Sequence, residues 1–266
     1  MCEIENGDLL RFQKIFKVDI EKGKIKEELV EILAPLNKLK KYLEKVEEFK
    51  KWNITSIERE KIAFDFYIFK KIIDNLDKIK RLWLWVSINV NYETLYFVYK
   101  NKKLLEKFKD RLEKIKKEIW KVVILELLEV WNKNKSINSN EIESLNYYYD
   151  KKDWLAVYSI DDAIPYKELD KHNNHCLSEI LSIILKNKLY KYIKIDIEWT
   201  KYYVKNIDKL QEILDEIERC KDKKNIIFEW VEKNEEIDKL IEWLKKYKNI
   251  DFYFQGFALH KPEFLK

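Results

Sequence analysis

Short apolar runs alternate with charged amphipathic stretches along most of this chain. The runs "LWLWVSINV", "KVVILEL", "DWLAVYSI", "KYIKIDI", "KNIIFEWV" and "IDFYFQGF" are rich in Ile, Val, Trp, Tyr and Phe and read as strands. Between them, "NYETLYFVYKNKKLLEKFKDRLEKIKKEI", "SEILSIILKNKL", "VKNIDKLQEILDEIERCK" and "NEEIDKLIEWLKKYK" space their apolar residues three and four apart and read as helices. Repeated βα alternation predicts an α/β protein with a parallel sheet. Six or more such units in 266 residues favour a closed (β/α)8 barrel of the TIM type over an open doubly wound sheet, for which no glycine-rich phosphate loop is present. No short repeat or low-complexity linker divides the chain, so residues 1–266 are read as one domain.

Composition narrows the partners. Hydrophobic residues make up 46% of the chain, enough to fill a substantial core. Lys and Arg number 53 against 48 Asp and Glu, a net +5 spread in helix-like spacing. That pattern reads as solvated helix faces, with no nucleic acid as partner. No stretch reaches the roughly 18 uncharged apolar residues of a membrane span, and "MCEIENGDLL" lacks the basic and apolar regions of a signal peptide. The expectation is a cytoplasmic protein with no membrane partner. Cys2, Cys176 and Cys220 are too few and too scattered for a disulfide framework or a thiolate metal site.

The chemistry is expected where the strands end. Polar residues break the apolar runs at Asn89, Glu126, Asp161 with Asp162, Lys194 with Asp196, and Glu229 with Glu232. A carboxylate buried without a partner costs several kcal/mol, so a ring of such groups implies a shared positive charge. In a barrel the C-terminal strand ends form one mouth. Carboxylate and amide oxygens gathered there suit a hard divalent cation such as Mg²⁺ or Mn²⁺, and a lysine beside them points to metal-assisted phosphodiester hydrolysis.

In this order the residues resemble the EAL-domain phosphodiesterases, which hydrolyse cyclic di-GMP on a modified TIM barrel. "FQKIFKVDIEKGKI" looks like the family's opening strand pair, and "EELVEI" falls where the signature Glu-Ala-Leu stands. "VSINVN" is similar to "SVNLS", "VILELLE" to "LVLEITE", "VYSIDDA" to the start of "LALDDFGTG", "YIKID" to "YLKID", "IIFEWVE" to "VIAEGVE" and "YFQGFALHKP" to "YVQGYLFSKP". The resemblance implies a bacterial signalling enzyme that opens cyclic di-GMP to linear pGpG with two Mg²⁺ or Mn²⁺ ions. It makes Glu27 or Glu28, Asn89, Glu126, Asp161 and Asp162 metal ligands, and Lys194, Glu229 and Gln255 catalytic. It also gives Glu232 a supporting role and sets Gly256, Lys261 and Pro262 at the nucleotide, while Asp196, two residues after Lys194, is read from its spacing as facing the same way and orienting that lysine.

Adjacent strand residues face opposite sides, so only one of Glu27 and Glu28 can point into the mouth. Glu27 is preferred because it puts Leu29 at the motif's third position, with Glu28 as the alternative. With Glu27 opening the motif, Glu31 stands in place of the arginine that grips a phosphate in the family. "AIPYKEL" replaces the family's glycine-containing loop, and Trp230 replaces a glycine. These departures keep a second function open, a catalytically degenerate EAL domain serving as a cyclic di-GMP receptor or protein-interaction module. A homodimer and a protein partner both stay open. "HNNHC", with His172, His175 and Cys176, reads as surface rather than a zinc site, and Tyr147, Tyr148 and Tyr149 as packing aromatics.

Overall fold

The computed structural model describes residues 10–33, 56–128, 156–160, 185, 190–195, 200, 207–229 and 234–265. Its strands are β1 (Arg11–Asp19), β2 (Lys24–Leu33), β3 (Trp85–Asn91), β4 (Val123–Leu128), β5 (Ala156–Ile160), β6 (Tyr190–Ile195), β7 (Lys224–Glu229), β8 (Ile250–Gln255) and β9 (Glu263–Phe264). They hydrogen-bond in the order β2-β3-β4-β5-β6-β7-β8-β1-β9, and β1 also pairs with β2. The first eight therefore close on themselves, a mixed barrel of the modified TIM type. β1 runs antiparallel to β8, whereas β3 to β4 and β5 through β8 pair in parallel. The chain divides into two compact units, one of residues 1–13, 30–156 and 262–266 and the other of residues 14–29 and 157–261.

In the first unit, β3 and β4 carry α1 (Ser56–Asp74), α2 (Leu76–Lys80), α3 (Tyr92–Lys100) and α4 (Lys102–Ile119). The run 91–119 reads in sequence as one helix but is two. Asn101 leaves the helical conformation and its side chain accepts the Leu104 N–H at 3.2 Å, so a local cap competes successfully with a continuous helix. The spacing of α4 buries Leu104, Phe108, Leu112, Ile115 and Ile119 along one stripe. Phe108 meets Phe69 of α1 edge-on at 4.9 Å between ring centres. Trp120 ends α4 at φ 58°, a left-handed position that glycine usually fills, and Trp83, at the turn before β3, has the same φ. For a bulky residue this conformation costs about 1 kcal/mol.

The β5 run AVYSI, whose residues from Val157 on belong to the second unit, is buried at every position, as expected of a parallel strand covered on both faces. Phe228 of β7 packs between Phe252 and Phe254 of β8, at 6.2 and 6.0 Å between ring centres. The stripes Leu210, Ile213, Leu214 and Ile217 of α5 (Ile207–Glu218), and Ile237, Leu240, Ile241 and Leu244 of α6 (Asn234–Leu244), are buried.

Candidate functional site

In the first unit, the β3–β4 register sets Asn89 directly opposite Glu126. Paired residues on neighbouring strands point to the same face, so the two side chains stand together. Ser87, two residues before Asn89 and on its face, donates its hydroxyl to Glu126 Oε2 at 3.1 Å. Asn89 Nδ2 donates to Glu31 Oε1 at 2.8 Å. Glu31 and Glu126 are only 4% and 1% exposed, so β2, β3 and β4 together hold two buried carboxylates about one amide. Asn89 Oδ1 is itself buried and has no hydrogen-bond partner among the described residues.

A third buried acid lies close to this group in the chain's path. Asp65 of α1, 1% exposed, accepts the backbone N–H and the side-chain Nδ2 of Asn91, both at 2.8 Å. It thereby anchors the chain where β3 passes into α3, two residues beyond Asn89. Burial pushes its carboxyl up to about 7, and the two hydrogen bonds from Asn91 only partly offset that rise.

In the second unit, Lys194 of β6 is 2% exposed and its Nζ lies 2.6 Å from Glu229 Oε1 at the end of β7. Lys194 is registered against Ile227, and Glu229 against Gln255 of β8, so the three polar side chains share one face. Gln255 is buried. Gly256 follows it, and its carbonyl accepts the N–H groups of Leu259 and His260 in the turn that leads to exposed Lys261 and half-buried Pro262. His260 Nδ1 accepts the Lys14 N–H at 3.4 Å.

Glu27 and Glu28 are placed differently from the expectation. Glu27 is exposed and held by Lys14 at 2.8 Å, in the outer half of the β1–β2 hairpin, where residues 24–27 all face solvent. Glu28 is the half-buried one of the two: it accepts the Tyr253 hydroxyl at 3.1 Å and lies 3.2 Å from Lys26 and 3.8 Å from Lys17. Burial, reinforced by the negative charges around it, drives the Tyr253 hydroxyl well above its ordinary range. The carboxylate joined to Asn89 is Glu31, the residue that the motif alignment had set in the arginine's place. Asp161, Asp162, Asp196, Glu232, Trp230, "HNNHC" and Tyr147–Tyr149 lie outside the described residues.

The donor set in the first unit suits a hard cation. It is all oxygen, its carboxylates are buried, and the orphaned Oδ1 of Asn89 is an acceptor in search of a positive partner. Among the described residues no three Asp, Glu, His or Cys side chains gather as a ligand group, so this unit offers two carboxylates and an amide.

Solved structures share this arrangement of strands. The EAL enzyme Bd1971, in its cAMP- and cyclic di-GMP-bound form, is 15% identical over 95% of this chain and 61% of its own, with a TM-score of 0.56. Klebsiella pneumoniae BlrP1, in a manganese and cyclic di-GMP complex, is 15% identical over 97% of this chain and 57% of its own, with a TM-score of 0.54. The FimX EAL domain is 16% identical over 97% of this chain and 92% of its own, with a TM-score of 0.59.

The fold is that of an EAL domain.

The chain spans about three fifths of Bd1971 and BlrP1, 61% and 57%, and nearly all of the FimX EAL domain at 92%. No protein-family model matches the sequence, and no curated protein matches it. Identities this low carry the EAL fold and not its chemistry, which has to be argued from the side chains.

Proposed function

We propose that this chain is a divergent EAL domain that acts on cyclic di-GMP as a metal-dependent phosphodiesterase, opening one phosphodiester bond to leave linear pGpG. The observation that carries the reading is the buried Glu31–Asn89–Glu126 group with its orphaned amide oxygen. Glu31, Asn89 and Glu126 are the residues that would hold Mg²⁺ or Mn²⁺, and the resemblance adds Asp161 and Asp162. Bound there, such an ion supplies Lewis acidity that makes water nucleophilic at neutral pH and offsets phosphate charge. Lys194, fixed by Glu229, presents an ammonium group whose position is set before substrate arrives, and Gln255 can orient a water or a phosphate oxygen by hydrogen bonding. The manganese and cyclic di-GMP bound to BlrP1 support the choice of cation and nucleotide.

A second reading, a cyclic di-GMP receptor without turnover, is favoured by one specific departure. With Glu31 opening the motif, "EIL" supplies its Glu and Leu, and the position of the phosphate-gripping arginine falls on Pro35. Calorimetric titration of cyclic di-GMP with Ca²⁺ present, then chromatography of the products after exchange to Mn²⁺ or Mg²⁺, separates the two. Binding with conversion to pGpG establishes the phosphodiesterase, binding without product establishes the receptor, and no binding with any of these cations overturns both.

A further inference from the structure

We propose that the turns carrying Trp83 and Trp120, in the first unit, form a docking surface for an anionic lipid bilayer. This inference is independent of the nucleotide reading and concerns surface binding, since no helix among the described residues is long and apolar enough to cross a membrane. Trp83 and Trp120 are 81% and 84% exposed, whereas the other exposed large hydrophobic side chains among the described residues, Ile25 and Phe257, reach only 37% and 42%. They are also the two non-glycine residues with positive φ among those described.

Their positions are equivalent. Ser87 of β3 pairs with Ile124 of β4, and each tryptophan stands four residues before its member of that pair, so the two indoles enter adjacent parallel strands at the same level. Lys121 Nζ donates to the Trp83 carbonyl at 2.6 Å, which ties one turn to the other. Apolar packing accounts for neither ring. The left-handed backbone instead holds each indole outward at the tip of its turn.

The charge around them selects the partner. Lys80, Lys114, Lys116, Lys117 and Lys121 line a groove of about 1020 Å³ beside Trp85 and Trp120, against three acids, one of which, Glu118, is held by Lys80 at 3.5 Å. Exposed Arg81 adds a further cation next to Trp83. Indoles favour the headgroup region of a bilayer, where the ring is buried and its N–H stays hydrated, while long lysine stems let the ammonium groups reach lipid phosphates. A second copy of this chain would bring like charge against like.

The test is co-sedimentation of the full chain with phosphatidylcholine vesicles, with and without phosphatidylglycerol, together with quenching of tryptophan fluorescence by brominated lipid. The expected result is binding that needs phosphatidylglycerol, weakens with salt, and falls about tenfold or more in Trp83→Ala/Trp120→Ala, whose melting temperature stays that of the parent. Lys117→Gln, which leaves both indoles in place, should weaken binding about fivefold. Failure to bind anionic vesicles, or equal binding by the parent and the double variant, overturns the proposal. So does tryptophan-dependent binding of oligothymidylate or polyglutamate without vesicle binding, which would reassign the surface to nucleic acid or to an acidic protein.

Discussion

Replacing Asp65 with asparagine is expected to flatten the dependence of stability on pH. Asp65 is buried on α1, and desolvation raises its carboxyl to about 7 from the 3.8 of an unhindered aspartate. The negative charge of Glu93 adds to that rise, and the hydrogen bonds from Asn91 moderate it. Because the folded value lies above the unfolded one, the folded protein holds a proton in this window that the unfolded chain has released. Stability from this group is therefore fully present below about pH 4, falls as pH rises through the window, and levels off above about pH 7. At 1.36 kcal/mol per pH unit, two units of the window, from pH 5 to pH 7, correspond to about 3 kcal/mol. Urea denaturation of the parent and of Asp65→Asn at a series of pH values measures it directly. The difference in unfolding free energy between the two proteins should drift by about that amount between pH 5 and pH 8, with the parent losing ground as pH rises. Parallel profiles would refute the reasoning and would mean that Asp65 is an ordinary anion offset by the hydrogen bonds from Asn91.

Three further substitutions test the remaining geometry. Glu31→Gln should weaken Mn²⁺ binding about tenfold or more by calorimetry, while Glu27→Gln, which alters only an exposed pair with Lys14, should leave it unchanged. Lys194→Met keeps the buried volume but removes the ammonium group beside Glu229, so conversion of cyclic di-GMP should fall about a hundredfold or more by product chromatography, with the circular dichroism spectrum retained. Tyr253→Phe removes the hydroxyl that reaches Glu28 at 3.1 Å, at a cost of about 1 kcal/mol, and should lower the melting temperature by about 2–4 °C.

The strands were readable because their apolar runs end in polar residues, and the register sets Asn89 opposite Glu126, and Glu229 opposite Gln255. The break at Asn101 was not readable from periodicity, since apolar spacing continues across it and only a side-chain cap decides the matter. Asp65 left a signal that apolar pattern reading passes over. "IAFDFYIF" sets one carboxylate inside a continuous apolar run, and an acid in such a place is either exposed by a turn of the helix or buried against a specific donor. Here the donor is Asn91, 26 residues away in sequence, which no local pattern could name.

The placing of the first glutamate shows why alternation alone cannot decide a site. Glu27 and Glu28 are neighbours in sequence with different surroundings, Glu27 with Lys14 in solvent and Glu28 against Tyr253. Strict alternation does not continue up the strand. Leu29, Val30, Glu31 and Ile32 are buried in succession, because this end of β2 is covered on both sides. Period two marks a half-buried strand, and it loses its meaning at the point where burial becomes complete. A glutamate inside that fully buried stretch needs a specific partner far more urgently than one at the exposed hairpin end. That demand, and not the match of neighbouring letters to a motif, is what singles out Glu31 and its hydrogen bond from Asn89.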